Sequence, residues 1–187
     1  MEDNPSSFSQ YNAADDLISR NLKAGRGNKI AFRDRNGVHS YLEIEERTNQ
    51  FANLLTSMNI KQESRLILVM SDSADLVICF LGAIKAGVVP VPLNTRLSSE
   101  DYAYIFSDSR ADACVISEHL VDIVSKNVPE PAKVLVDGSS DAYPTLASVL
   151  ESADKTRVTA STKPDDVCFW LYTSGTTGSV SYTHLTL

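Results

Sequence analysis

Six residues near the end of the chain, Thr173, Ser174, Gly175, Thr176, Thr177 and Gly178, have the types and spacing to hold an anion. They follow Tyr172 and an apolar run at 167–171, which includes Cys168, Phe169 and Trp170 and reads as a buried strand. An apolar strand therefore empties into small hydroxyl residues and two glycines. Such a loop carries little side-chain bulk over its backbone N–H groups. Its glycines can take φ > 0, which lets successive N–H groups point into one concavity. The hydroxyls of Thr173, Ser174, Thr176 and Thr177 add donors, and the natural guest is a polyphosphate. Ser, Thr and Gly are also ordinary turn residues, so a plain polar turn is the alternative. No lysine follows Gly178, which excludes the loop G-x-x-x-x-G-K-[ST], and the dinucleotide pattern G-x-G-x-x-G is absent here as well.

The string Phe169-Trp170-Leu171-Tyr172-Thr173-Ser174-Gly175-Thr176-Thr177-Gly178 resembles the phosphate loop of the adenylate-forming superfamily. That motif is written [YF]-[TS]-S-G-[ST]-T-G-x-P-K-G. Residues 172–178 match it at every position, and Ser179 fills the variable one. A second segment, Gly82-Ala83-Ile84-Lys85-Ala86-Gly87 running on to Pro92 and Asn94, resembles the superfamily's [AG]-x-x-K-A-G-x-x-x-x-P-x-[ND] stretch. By its composition this second segment is a core helix, a cap and an edge strand, with no ligand role. Within the superfamily the likeness is to benzoate-CoA ligases, through residues 12–15, 25–32, 101–105 and 169–172, and it covers about residues 12–179. The resemblance implies ATP, magnesium and coenzyme A, and an aromatic carboxylate as the acid. In the reaction so implied, a carboxylate would attack the α-phosphate of ATP to give an acyl-adenylate and pyrophosphate, and the thiol of coenzyme A would then displace AMP to give a thioester. Thr173, Ser174, Gly175, Thr176, Thr177 and Gly178 would hold the β- and γ-phosphates.

The bulk of the chain agrees with such a role. Its 187 residues suffice for one domain with a proper core, and 43% hydrophobic with 22% charged residues is a globular composition. A net charge of −7 argues against a nucleic-acid partner, which needs a basic face. It leaves ATP open, because phosphates are held locally. Cys79, Cys114 and Cys168 are each flanked by apolar residues and read as buried, reduced thiols. Met1 to Ser7 are acidic and polar, with no signal-peptide pattern, and no apolar run has the length of a membrane helix. The expectation is a cytoplasmic protein without a membrane partner.

The elements that must position the loop follow from pattern. After a lead-in over 1–11, Asn12 caps a helix to residue 23, with Asp15 and Asp16 in its first turn. A strand at 29–33 turns at Asn36-Gly37 into a short return strand. Ser40 and Glu43 form a capping box, and Ile44, Thr48, Phe51, Leu55 and Met58 make a helical stripe. Glu45, Glu46, Arg47 and Gln50 fall off that stripe and read as solvated. Strands are expected at 66–70, 88–92, 113–116, 133–136 and 167–171, and helices at 74–86, 98–109, 118–126 and 145–153. Pro90 and Pro92 put their strand at an edge, while Tyr102, Tyr104, Ile105 and Phe106 read as core. His39 and His119 read as surface residues without partners. Strands alternating with helices imply an α/β fold, a mostly parallel sheet flanked by helices, with the Ser/Thr/Gly loop at a strand's carboxyl end, where such sheets bind ligands.

The motif's Pro-Lys-Gly is replaced by Val180-Ser181-Tyr182. Residues 180–187 resemble one reading frame of a sequencing adapter, so the expected organisation is a truncated N-terminal part of an AMP-binding domain over 12–179 and a foreign tail over 180–187. The superfamily's motif lysine, ribose-binding aspartate, metal-binding glutamate and C-terminal catalytic lysine are not in this chain. The chain is therefore expected to be catalytically inert alone. The alternatives are a non-catalytic phosphate-binding module and a ligase for another carboxylic acid.

Overall fold

The computed structural model describes residues 10–157, 159–174 and 180–186. Helix α1 (Ala13–Lys23) leads into a hairpin of β1 (Ile30–Asp34) and β2 (Gly37–Ser40), then α2 (Tyr41–Ser57). Next come β3 (Arg65–Val69), α3 (Ala74–Lys85), β4 (Val89–Pro92), α4 (Ser99–Ser109) and β5 (Ala113–Ser117). A single α-turn, α5 (Val121–Val124), precedes β6 (Lys133–Asp137), α6 (Leu146–Glu151), β7 (Val167–Ser174) and β8 (Val180–Thr186).

Strands β3 to β6 form one parallel sheet in the order β4-β3-β5-β6. Parallel strands need crossovers, and the helices between them supply these. Alternate strand residues feed two cores, as a period of two requires. Leu66, Leu68, Ala113, Val115 and Leu135 face one core, with Phe51 and Leu55 of α2, Ile78 and Ala83 of α3 and Leu146 of α6. Ile67, Val69, Val91, Cys114 and Ile116 face the other, with Tyr102, Ile105 and Phe106 of α4. The result is a helix–sheet–helix sandwich whose strands are covered on both faces, which explains their unbroken apolar runs. Helices α2 and α3 touch at Gly82, where an added Cβ would lie 2.8 Å from Phe51 Cδ1 and 3.0 Å from the Thr48 carbonyl oxygen.

The Asn12 and Ser40 caps stand as expected, and Ser73 and Ser98 act in the same way: each accepts a backbone N–H of its helix, and Ser40/Glu43 and Ser98/Asp101 close reciprocal capping boxes. Short β4 lies at the edge of the four-stranded ladder, as its two prolines require. Other expectations are corrected. The single helix over 118–126 is instead a 3-10 turn (Glu118–Leu120), the α-turn α5 and a second 3-10 turn (Ser125–Asn127). No side chain caps the start of α5, and the Asn127 side chain donates to Ile123 O at 2.9 Å, closing the segment early. Tyr104 is not core but 49% exposed. His39 has a partner, since its Nε2 lies 3.3 Å from Asp34 Oδ1. Glu45, Glu46, Arg47 and Gln50 are not simply solvated. Arg47 pairs with Asp75 of α3, Glu45 with Lys85, Glu46 with Lys155, and buried Gln50 donates to Leu150 O and Ala153 O. Arg47 and Glu45 thus tie α2 to α3, while Glu46 and Gln50 tie α2 to α6 and to the connector that follows it. Residues 180–186 form β8 and pair antiparallel with β7, which does not bear on whether they are foreign to the family.

Candidate phosphate-binding site

Strand β7 is held from both sides of the fold. Trp170 and Tyr172 pack against the α4 core, and the Tyr172 hydroxyl donates to Asp108 Oδ2 at 2.6 Å. Phe169 points the other way and meets Phe80 of α3 edge-on, with ring centroids 5.4 Å apart. The Arg65 guanidinium lies 5.8 Å from the centroid of the Trp170 ring, within cation–π range. An apolar strand anchored by alternating aromatics thus delivers its last residues to a defined place. Thr173 is exposed there, and Ser174 ends β7 opposite Val180, the first residue of β8. Gly175, Thr176, Thr177 and Gly178 lie outside the described residues.

The hydrogen-bonded ladder of β7 is the antiparallel one with β8, and the strand also lies beside β4 of the parallel sheet. An apolar run reveals a covered strand but not the direction of its neighbour. The crevice expected of a doubly wound sheet exists separately, between β3 and β5, where the strand order reverses. The chain's own polar groups fill it. Ser117 Oγ accepts the Ser71 N–H at 3.0 Å and donates to Asp137 Oδ2 at 3.2 Å. The adjacent N-terminus of α3, ordinarily open to an anion, is taken by Asp34, whose Oδ2 accepts the Ala74 N–H at 2.8 Å. The Ser73 hydroxyl accepts the Leu76 N–H there as well. Burial raises the Asp137 carboxyl, and the nearby Asp75 carboxylate pushes it the same way.

A cavity of about 400 Å³ opens at the other end of β7. Arg65, Val89, Val167, Cys168 and Trp170 line it, at the starts of β3, β4 and β7. Seven rises of extended strand separate Val167 from Ser174, roughly 23 Å at about 3.3 Å per residue. The cavity therefore opens at the opposite end of β7 from Ser174. Among the described residues no group of three or more His, Cys, Asp or Glu side chains could hold a metal ion. None of the described helices is long and apolar enough to cross a membrane. Cys79 and Cys114 are buried, and burial raises both thiols, that of Cys114 to about 12. Half-buried Cys168 is raised for the same reason.

Two side chains that pattern alone did not single out hold this arrangement. Asp34 looked like the residue before a turn, yet it joins the hairpin to α3. Lys85 is 1% exposed and pairs with Glu45 at 2.6 Å. Its signal was a charged residue ending a mostly apolar helix.

The chain belongs to the AMP-binding enzyme family, whose match runs over residues 19–180. The relatives it resembles include acid–CoA ligases. It is 40% identical over 174 residues to a benzoate–CoA ligase of Thauera aromatica, covering 91% of this chain and 33% of that one. To a 4-hydroxybenzoate–CoA/benzoate–CoA ligase of Rhodopseudomonas palustris it is 38% identical, covering 90% and 32%. The crystal structure of a benzoate CoA ligase from Burkholderia xenovorans LB400 superposes with a TM-score of 0.85 at 34% identity, over 94% of this chain and 34% of that one. An anthranilate CoA ligase solved with anthranoyl-AMP gives a TM-score of 0.88 at 27% identity, over 95% and 35%. The chain spans about a third of the length of these proteins.

Proposed function

We propose that this chain is the phosphate-holding part of an ATP-dependent aryl-CoA ligase. The observation that carries the reading is the match of residues 172–178 to the adenylate-forming phosphate loop, at the end of a strand pinned by Trp170, Tyr172 and Phe169. In the proposed reaction a carboxylate oxygen of the acid bonds to the α-phosphorus of ATP, and the bond to the leaving pyrophosphate breaks. The sulfur of coenzyme A then attacks the acyl carbon of the adenylate, the thiol proton is lost, and AMP departs with the bonding electrons. Adenylation is needed because a carboxylate oxygen leaves poorly and AMP leaves well.

Thr173, Ser174, Gly175, Thr176, Thr177 and Gly178 are the proposed ligands of the β- and γ-phosphates, through hydroxyls and backbone N–H groups. Their work is to position the triphosphate and offset its charge. Magnesium would arrive on the phosphate oxygens and supply further charge neutralisation. Exposed Thr173 brings a hydroxyl and not a carboxylate to this end of β7, a chemistry that suits an anion better than a cation cage. The relatives named for benzoate favour an aromatic acid.

By itself the 187-residue chain is proposed to bind the triphosphate and to form no thioester. Calorimetric titration with ATP, AMP and pyrophosphate, beside a thioester assay with benzoate and coenzyme A, tests both parts. Binding of ATP and pyrophosphate but not AMP, lost in Gly175→Val, is the expected result. Equal binding of AMP, or no effect of Gly175→Val, overturns the loop assignment, and thioester formation overturns the inactivity.

A further inference from the structure

Lys85 is the last residue of α3 and is almost wholly buried, a place where a lysine is rarely found unless paired. Its ammonium group lies 2.6 Å from Glu45 Oε1 of α2 and 3.7 Å from Asp15 Oδ1 of α1. Each partner passes the contact to the connector that precedes β7. Asp15 Oδ1 accepts the Thr159 hydroxyl at 3.1 Å. Glu45 Oε1 lies 3.3 Å from Asn49 Nδ2, which also donates to Lys155 O at 2.9 Å. The backbone of the lysine does the same work, because Lys85 O accepts the Ala160 N–H at 3.0 Å. One residue earlier, Ile84 O accepts Asn12 Nδ2, and that amide also reaches Thr162 Oγ1 at 3.1 Å. Connector residues 155, 159, 160 and 162 are thus tied around one side chain and the helix end that carries it. A few residues later the connector becomes β7.

We propose that Lys85 is a positioning residue for the phosphate loop: its buried ammonium group gathers Glu45 and Asp15 and so fixes the connector that feeds β7. The proposal rests on the phosphate reading of residues 173–178. An apolar side chain would fill the same volume between α1, α2 and α3 without the cost of desolvating a charge. What an apolar side chain cannot do is hold two carboxylates from two other helices. Glu45 depends on the cation especially, since its second oxygen, Oε2, is buried and has no hydrogen-bond partner among the described residues. Without the ammonium group a buried carboxylate stands uncompensated, and α2 and the connector separate to let water reach it. The displacement is carried into β7 because only a closed turn separates Thr162 from Val167: the Asp166 N–H donates to Lys163 O at 3.1 Å and the Lys163 N–H donates to Asp166 Oδ2 at 2.8 Å.

The experiment uses the 187-residue chain with Lys85→Met and, as a control of comparable thermal destabilisation, Val115→Ala in buried β5. Two quantities are read, amide hydrogen exchange by segment and ATP affinity by titration. In Lys85→Met, exchange at Ala160 and Thr162 and along β7 is expected to quicken about tenfold or more while β3 and β5 stay protected. ATP affinity is expected to fall about fivefold or more, as a displaced anion site should show. Val115→Ala should change neither. If Lys85→Met does not fold, Asp15→Ala removes the oxygen that accepts the Thr159 hydroxyl and so cuts only that branch, and exchange confined to the 159–162 segment is the expected result. Unchanged connector protection in the folded variant, or equal effects of Val115→Ala, overturns the proposal. Should the unsubstituted chain bind no ATP, the phosphate reading fails, and the exchange measurements still decide whether Lys85 fixes the connector.

Discussion

Asp34 holds a helix that begins 40 residues later: its Oδ2 accepts the backbone N–H of Ala74 at 2.8 Å. Its other oxygen accepts the N–H groups of Asn36 and Gly37, at 2.8 and 3.0 Å, inside its own hairpin. The Ala74 hydrogen bond leads the causes that hold the Asp34 carboxyl down at about 2. The usual value for an unfolded aspartate is about 3.9, so the fold favours the ionised form. That contribution is fully present above the unfolded value and is lost as pH falls from about 4 through about 2. Asp34→Asn is expected to lower Tm clearly at pH 7 and to match the unsubstituted chain ever more closely as pH approaches 2. A gap in Tm that does not depend on pH would mean that the charge of Asp34 is not what caps α3.

Asp137 has the opposite sign. Burial, followed by the Asp75 carboxylate, raises its carboxyl above the ordinary aspartate range. Its ionised form therefore opposes folding at neutral pH, and the penalty disappears once pH drops below the unfolded value. Asp137→Asn keeps an oxygen to accept the Ser117 hydroxyl and removes the charge. A higher Tm at pH 7, with no gain at pH 3, is the expected result. A lower Tm at pH 7 would show that ionised Asp137 is compensated by groups other than Ser117.

The contrast between these aspartates and the helix caps shows what the sequence could reveal. Ser40 with Glu43 and Ser98 with Asp101 are local, three residues apart, and so are readable from spacing. The parallel α/β sandwich was readable too, from apolar strands alternating with capped helices. Asp34 meets Ala74 at a separation of 40, Lys85 meets Glu45 at 40, and Gln50 meets Leu150 at 100. Nothing in a local period encodes such partners. The off-stripe face of α2 looked solvated because the connector covering it is itself polar, and a polar cover leaves no hydrophobic signal. For the candidate site, the residue types at 172–178 were informative, while the antiparallel setting of β7 required the structure.

Gly82 tests how closely α2 and α3 must approach. A methyl group there would fall 3.0 Å from the Thr48 carbonyl, which is helix backbone and cannot rotate aside. Phe51 Cδ1, at 2.8 Å, belongs to a fully buried ring. Alanine favours a helix over glycine by up to about 1 kcal/mol. Overpacking of a tight contact costs about 1–3 kcal/mol, and here the larger effect should win. Gly82→Ala is expected to be destabilising in a denaturant titration. A variant at least as stable as the original would mean that the helices can separate by a few tenths of an ångström at little cost.

Thiol chemistry separates the cavity from the loop. Cys79 and Cys114 are buried with raised thiols, whereas half-buried Cys168 lines the cavity beside Trp170, the one tryptophan of the chain. A small disulfide reagent should therefore modify one thiol in the native protein, slowly, because burial raises Cys168 as well and little of it is thiolate at neutral pH. The first modification should change tryptophan fluorescence at the same rate, since Trp170 follows Cys168 by two residues on β7. The other two thiols should react only on unfolding. Saturating ATP should leave the first rate unchanged, because the cavity opens at the start of β7 and the Ser/Thr/Gly loop lies past its end. Protection of Cys168 by ATP without a change in global stability would place the nucleotide in the cavity and move the site away from residues 173–178.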